Sequence, residues 1–267
     1  MKILLTNDDG IHAPGLRALR DALKDSYELA VAAPQDEKSA TSHSISLGKH
    51  LKVREFFENG IPHFAVHGTP VDCVKFALSE IEGFQPDLVI SGINHGANTG
   101  VSVYYSGTVS AAREALINRV PAMAVSLCSR DARDFSVAVK AAQLLIKGFF
   151  ADGFPPDVLI SINVPPVPAA QIAGIKIAKQ AASRFIEEFI YETEKSGEKL
   201  YRLAGEIEVD ETDGTSDEEA VAGHYFSVTP LRIDLTAYEA LKPLEIWLSQ
   251  VPGTEKFENR KEGPHQS

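Results

Sequence analysis

Two cysteines, two methionines and one tryptophan are all that the 267 residues hold of these types. Cys73 and Cys128 lie in apolar stretches with no CxxC anywhere. That excludes a disulfide scaffold and a cysteine zinc site, and leaves two buried thiols as the expectation. Positive charge is also scarce: 26 Lys and Arg face 37 Asp and Glu, a formal net charge of −11. A protein that coats nucleic acid or an anionic membrane needs a basic face that releases counterions, so both partner classes are excluded. A small phosphate ester is not, because a bound cation supplies local positive charge that composition does not show. Eight of the acids crowd the base-free stretch 206–219, and setting those eight aside from −11 leaves −3 for the remainder. No apolar run approaches the roughly 18 residues of a membrane helix. The N-terminus turns acidic at Asp8 after three strongly apolar residues, too short for a signal peptide. The expectation is a cytoplasmic protein.

Several catalytic signatures are missing as well. There is no GxGxxG after the first apolar run, no GxxxxGK[ST], no GxSxG, no DxDx[TV] and no HExxH. What the chain does contain is an alternation of short apolar runs and helical spacings. Strands are expected at Lys2–Thr6, Leu29–Ala33, Phe64–Val66, Asp87–Ser91, Ala122–Ser126 and Val158–Ile162. Helical patterns lie between them: Leu16, Leu19 and Leu23; a helix capped by Thr69 with Pro70 next and Asp72 in its first turn; one from about Thr108; one over roughly 134–148. Strands that are apolar throughout and alternate with helices indicate a parallel sheet covered on both faces, a doubly wound α/β core over 1–165.

After Pro165 and Pro166 the pattern changes. Alternating stretches around Lys195-Ser196-Gly197 predict a β-hairpin over 183–204 with no helix between its strands. An acidic loop (206–219), a returning strand near Tyr225–Val228, and a last helix opening at Thr236 with Glu239 completing a capping box are expected to follow, within an extension over 166–252. Pro243 should kink or restart that helix, and residues 253–267 read as a mobile polar tail.

Ligands of doubly wound sheets bind outside the carboxyl ends of the strands. The residues there are Asn7-Asp8-Asp9-Gly10, the segment Asp36 to Ser44, and Gly92-Ile93-Asn94-His95-Gly96-Ala97-Asn98. Adjacent Asp8 and Asp9 repel unless something neutralises them. Carboxylates with amide and hydroxyl oxygens form a hard donor set suited to Mg²⁺, Mn²⁺ or Ca²⁺ rather than zinc. The plainer alternative is that one Asp caps the helix from Pro14 and the other faces solvent. Tyr105-Ser106-Gly107-Thr108 precedes a helix and reads as an anion cradle or as ordinary N-capping, two compatible roles. His43, His67 and His95 fall in or beside these loops as candidate general acids, with structural or solvated roles as the alternative.

These residues resemble the SurE (survival protein E) nucleotidases. The resemblance rests on Thr6-Asn7-Asp8-Asp9-Gly10-Ile11 with Ala13-Pro14-Gly15, Ala33-Pro34 with Ser39-Ala40, and Gly68-Thr69-Pro70-Val71-Asp72-Cys73-Val74. It rests equally on Ser91-Gly92-Ile93-Asn94, Tyr105-Ser106-Gly107-Thr108-Val109, Ile162-Asn163-Val164-Pro165 and Phe226-Ser227-Val228-Thr229-Pro230-Leu231. It spans about 1–240 in the family's order. It implies a Rossmann-like, mostly parallel sheet with a C-terminal β-hairpin arm exchanged between subunits of a homodimer or homotetramer, and a terminal helix. It implies a metal-dependent phosphomonoesterase acting on nucleoside 5′- and 3′-monophosphates and on short polyphosphate. The implied metal ligands are Asp8, Asp9, Ser39 and Asn94, holding one divalent cation per subunit: Mg²⁺ or Mn²⁺ first, with Ca²⁺ or Co²⁺ compatible. Asp8, Asp9 and Asn94 are then catalytic, and Ser39, Asn98, Ser106, Gly107 and Thr108 bind the substrate phosphate. His95, Ala97 and the acidic 206–219 stretch depart from the family's pattern. Two rivals are a regulatory module that binds metal and nucleotide without turnover, which a phosphate-release assay separates, and a glycosyltransferase-like domain, for whose second nucleotide-binding domain the hairpin leaves little room.

Overall fold

The computed structural model describes residues 1–149, 155, 157–210 and 213–252. The expected tail from Gly253 lies outside the described residues. Elements follow in chain order as β1 (Lys2–Thr6), α1 (Pro14–Leu23), β2 (Glu28–Pro34), β3 (Val53–Glu58), β4 (Ile61–Val66), α2 (Pro70–Glu80), β5 (Leu88–His95), α3 (Ser102–Tyr105), α4 (Gly107–Ile117), β6 (Ala122–Leu127), α5 (Ser136–Phe149) and β7 (Leu159–Val164). They continue as β8 (Gly174–Ile177), β9 (Ser183–Lys195), β10 (Glu198–Val209), α6 (Asp217–Ala222), β11 (Tyr225–Leu231) and α7 (Tyr238–Ser249).

Nine strands form one sheet in the order β3-β4-β2-β1-β5-β6-β7-β11-β8. The six from β4 to β7 run parallel, which the hydrophobic runs require: Ile3, Leu5, Val31 and Ile90 pack with α1 and α5, whereas Leu4, Ala30, Ala32 and Val89 pack with α2 and α4. Both faces are buried, so no polar alternation survives in these strands. The chain steps from β1 to β2 on one side and returns to β5 on the other, which makes the β1/β5 boundary the point where strand order reverses. Helix α2 opens as expected: Thr69 accepts from the Asp72 N–H while the Asp72 carboxylate accepts from the Thr69 N–H. No helix among the described residues is long and apolar enough to cross a membrane.

Several expectations are corrected. Strand β3, antiparallel to β4 at the sheet edge, is absent from the sequence reading because its residues, Val-Arg-Glu-Phe-Phe-Glu, lack both an apolar run and a two-residue alternation on a largely exposed edge. Past residue 165, β11 pairs antiparallel with β7, and β8 pairs parallel with β11, so both enter the main sheet. The hairpin is longer than 183–204, because β10 carries Glu206 and Glu208 and continues to Val209. It turns at Ser196 and Gly197, both with positive φ (55° and 81°), the backbone of a two-residue type I′ turn. The acidic 206–219 segment is therefore no simple loop. Its start is strand, and its end opens α6, where Ser216 and Glu219 form a reciprocal capping box. Of the cysteines, Cys73 is buried and Cys128 only half-buried; both are free thiols.

The described residues up to Ile233 form one compact unit and those from Asp234 onward a second. In the second, α7 begins at Tyr238, with Ala237 at its N-cap and no side-chain cap, so the Thr236/Glu239 capping box does not form. Asp234 instead accepts from the Thr236 N–H, which holds that residue outside the helix. Pro243 lies inside α7, which runs on to Ser249 as one helix.

Helix α1 lies directly on β5, and Gly15 permits the approach: a Cβ there would sit 2.1 Å from the Ile93 carbonyl oxygen and 3.0 Å from the Phe135 ring. Gly15→Ala is expected to destabilise the fold by about 1–3 kcal/mol, because main chain has to move. Gly148→Ala, which meets nothing within 4 Å, should be neutral or stabilising by up to about 1 kcal/mol. Urea unfolding midpoints of the two variants check the contrast.

Candidate active site at the carboxyl edge of the sheet

At the strand-order reversal the chain leaves β1 through Asn7, whose side chain donates to the Gly10 carbonyl at 2.9 Å and accepts from the Gly10 N–H at 3.2 Å. Gly10 takes φ of 102°, a value that favours glycine, and closes the turn. The turn presents Asp8 and Asp9 side by side at the rim of a cavity of about 620 Å³. Lining it with them are Glu37, Ser39, Asn94, His95, Asn98 and Ser106, among others. Three loops that are remote in sequence therefore meet here.

Asp8 is 5% exposed. Burial pushes its carboxyl up from the ordinary 3.8 to about 6; hydrogen bonding from Thr108 opposes this, and the charge of Asp9 adds to it. Thr108, fully buried at the start of α4, donates its hydroxyl to Asp8 Oδ1. Gly107 lies against the same carboxylate, since a Cβ there would come within 2.8 Å of Asp8 Cβ and Oδ2. Asp9 is likewise pushed up by burial; His95 opposes the shift and Glu37 adds to it. The His95 main-chain N–H donates to Asp9 Oδ2 at 3.3 Å, and the ring nitrogen Nδ1 lies 3.7 Å from it.

Strand β5 breaks register with β6 between Gly92 and Asn94, which turns Asn94 toward the cavity. Asn94 Nδ2 donates to the Gly96 carbonyl at 2.9 Å, which leaves its carbonyl oxygen as the group offered to the cavity. Ser39 is exposed, and its hydroxyl donates to Glu37. The segment that carries it is tied down by the Lys38 N–H on the Asp8 carbonyl at 2.7 Å and the Ser42 N–H on the Tyr105 carbonyl at 3.1 Å.

Asp8, Asp9, Ser39, Asn94, Asn98 and Ser106 are thus brought together, whereas Gly107 and Thr108 stand behind Asp8 rather than on the cavity wall. Asn98 is committed in part: its Nδ2 donates to Ser126 Oγ and its main-chain N–H to Asn163 Oδ1, both at 2.8 Å. Of the three candidate histidines, His95 lines the cavity and the other two do not. His43 is paired with buried Glu114 at 2.9 Å, and His67 is exposed. Glu37 lies in the segment Asp36 to Ser44 that the sequence reading points to, without being singled out there, and Arg130, with no motif around it, was missed; both are on the wall. The sequence reading also missed Asp217. This fully buried carboxylate accepts from the N–H groups of Gly100 and Ala181, and neighbouring Glu218 accepts from the Thr99 hydroxyl at 2.6 Å. The Ser216-to-Glu219 spacing of a capping box was the available signal.

The donor set tests whether a cation belongs here. Two adjacent, mostly buried carboxylates have no Lys or Arg paired with them among the described residues, an arrangement that is unfavourable when both are ionised. No three His, Cys, Asp or Glu side chains among the described residues group as a metal site. The set is completed by amide and hydroxyl oxygens, which suits hard cations. Oxygen donors around uncompensated carboxylates fit a divalent cation.

The same burial makes a stability prediction. A raised carboxyl binds its proton more tightly in the folded chain, so stability is fully present below about pH 3.8 and is lost as pH rises to about 6. The difference amounts to about 3 kcal/mol above that window. Without added cation, Asp8→Asn should therefore melt higher than wild type at pH 8, with the advantage vanishing by pH 4. Equal melting temperatures at pH 8 in calorimetry would contradict this.

Residues 3–187 match the family model described as "Survival protein SurE". The chain is 44% identical over 246 residues to "5'-nucleotidase SurE" of Chlorobium chlorochromatii, covering 92% of this chain and 90% of that one. It is 44% identical over 264 residues to "5'-nucleotidase SurE" of Pelotomaculum thermopropionicum, covering 98% and 99%. The crystal structure of the Sure protein from Aquifex aeolicus superposes with a TM-score of 0.80 at 35% identity, over 92% of this chain and 99% of that one. With two thirds of its length matched by the family model and these relatives alike over nearly all of it, the chain belongs to the SurE family.

Proposed function

We propose that this chain is a 5′-nucleotidase: a metal-dependent phosphomonoesterase that hydrolyses nucleoside monophosphates to nucleoside and inorganic phosphate. The observation that carries the reading is the buried Asp8–Asp9 pair, short of positive charge, at the strand-order reversal, in a chain whose relatives bear the name 5'-nucleotidase SurE. The preferred substrates are 5′-monophosphates, with 3′-monophosphates and short polyphosphate as further ones. One divalent cation per subunit, Mg²⁺ or Mn²⁺ first, is held by Asp8, Asp9, Ser39 and Asn94. When bound, it supplies Lewis acidity toward a phosphate oxygen and the attacking water.

Asp8 and Asp9 hold that charge in place, and Thr108 fixes the orientation of Asp8. Ser106 caps α4 by accepting from the Val109 N–H, which leaves its own hydroxyl proton for a phosphate oxygen. The Gly107 N–H lies in the first turn, where main-chain donors have no intrahelical partner and the helix dipole favours an anion. Asn98 retains a second amide hydrogen for the same anion. These donors stabilise charge that develops during phosphoryl transfer. His95 is the candidate general acid on the cavity wall, which supports it as proton donor to the leaving nucleoside oxygen.

In this reading residues 1–165 supply the catalytic core, residues 166–252 an extension, and the protein works in the cytoplasm. Hairpin β9–β10 is an arm exchanged within a homodimer or homotetramer. Its exposed Phe189, Tyr191, Leu200 and Leu203 support this, since a two-stranded hairpin is marginal alone in water.

Phosphate release from nucleoside monophosphates with Mn²⁺ or Mg²⁺ tests the activity. Asp8→Asn and Asn94→Ala should each lower kcat/KM by at least about 100-fold, and a chelator should abolish turnover until cation is restored. Near-wild-type turnover in both variants sinks the assignment, and nucleotide binding without phosphate release favours the regulatory module. For the arm, light scattering should report a dimer or tetramer that deletion of 184–204 disrupts. A monomeric wild type would contradict exchange.

A further inference from the structure

The cavity wall holds one Lys or Arg, Arg130. It lies just beyond β6, at the carboxyl edge of the sheet, and makes no hydrogen bond or ion pair with the described residues. Its side chain is exposed, but the chain beneath it is fixed. The Gly96 N–H donates to the Leu127 carbonyl at 2.8 Å, and the Cys128 N–H to the Val164 carbonyl at 2.9 Å. On the far side, His95 Nε2 lies 3.2 Å from the Ala132 carbonyl, and its ring meets Phe135 edge-on with centroids 4.9 Å apart. The Arg130 stem runs over Gly96, where a Cβ would lie 3.6 Å from Cγ and 3.9 Å from Nε. Gly96 is also the residue whose carbonyl holds Asn94. The Arg130 side chain thereby runs beside the loop that carries Asn94 and Asn98, and no carboxylate among the described residues pairs with it.

The charge balance gives it a task. Asp8, Asp9 and Glu37 line the same cavity. Ionised, they outnumber the charge of one divalent cation before a phosphate dianion enters. An arginine stays protonated throughout and offers a planar fork that matches two phosphate oxygens. We propose that Arg130 is a substrate-binding residue that takes two non-bridging oxygens of the phosphate, and so favours the dianionic monoester. The assignment rests on the proposed hydrolysis and deepens it.

The test uses the full chain with Mn²⁺, as Arg130→Ala and Arg130→Lys. Against a nucleoside 5′-monophosphate, Arg130→Ala should raise KM by roughly 10- to 100-fold, the range of one charge-assisted contact, with a smaller change in kcat. Calorimetric titration with inorganic phosphate should weaken by the same factor. Arg130→Lys should fall between, because it keeps the charge and loses the fork. Melting temperatures should match wild type, since the side chain is exposed. Wild-type KM and phosphate affinity in Arg130→Ala would overturn the assignment while leaving hydrolysis standing. Phosphate binding that weakens in Arg130→Ala, with no turnover by wild type, would overturn hydrolysis and leave Arg130 in place. Neither turnover nor phosphate binding in wild type would overturn both.

Discussion

The carboxylate of Asp8, buried beside that of Asp9 where the strand order reverses, is the constraint around which the surrounding loops are arranged. Burial raises both carboxyls, and the hydroxyl of Thr108 holds one of them in a single orientation. Gly107 is needed because any side chain there would occupy the space of that carboxylate. The loop of Ser39 hangs from the Asp8 carbonyl, and the loop of Asn94 donates to Asp9 through the His95 N–H. This arrangement costs the fold about 3 kcal/mol above about pH 6, a cost that a cation bound at the pair would offset.

A second buried carboxylate plays a different part. Asp217 accepts from main-chain N–H groups of Gly100 and Ala181, so its negative charge is met by peptide dipoles rather than by a cation. With Glu218 on Thr99, it fastens the return segment to the stretch that follows Asn98. Asp217 and Asp8 are both pushed up by burial and by an acidic neighbour, and both accept main-chain hydrogen bonds, Asp217 from Gly100, Ala181 and Glu218 and Asp8 beside the Thr108 hydroxyl; of the two, Asp8 lines the cavity. Position on the cavity wall, rather than hydrogen-bond inventory, distinguishes Asp8 from Asp217.

Much of this was legible in the residues. Strands buried on both faces declare themselves as uninterrupted apolar runs, and Thr69-Pro70-Val71-Asp72 announces α2 by its cap. Asp8, Asp9 and Asn94 were legible because polar residues directly after such strands fall at one edge of the sheet. What escaped depends on contacts distant in sequence. Strand β3 shows little of the apolar pattern because it is an edge strand. Asp217 sits in an acidic run that reads as solvated, yet its partner Gly100 lies 117 residues away. Thr108 and Gly107 were placed at the phosphate by their helix-terminal position, although their nearest business is with Asp8. Arg130 has no motif around it at all.

The claim that a cation completes the Asp8–Asp9 pair is tested most directly by titration calorimetry of the full chain with Mn²⁺ in buffers of different ionisation enthalpy. The prediction is one saturable site per chain, with proton release on binding at pH 5.5 that disappears at pH 8, because a carboxyl raised to about 6 must give up its proton to the cation. Absence of saturable binding, or binding of unchanged affinity in Asp8→Asn, would contradict it.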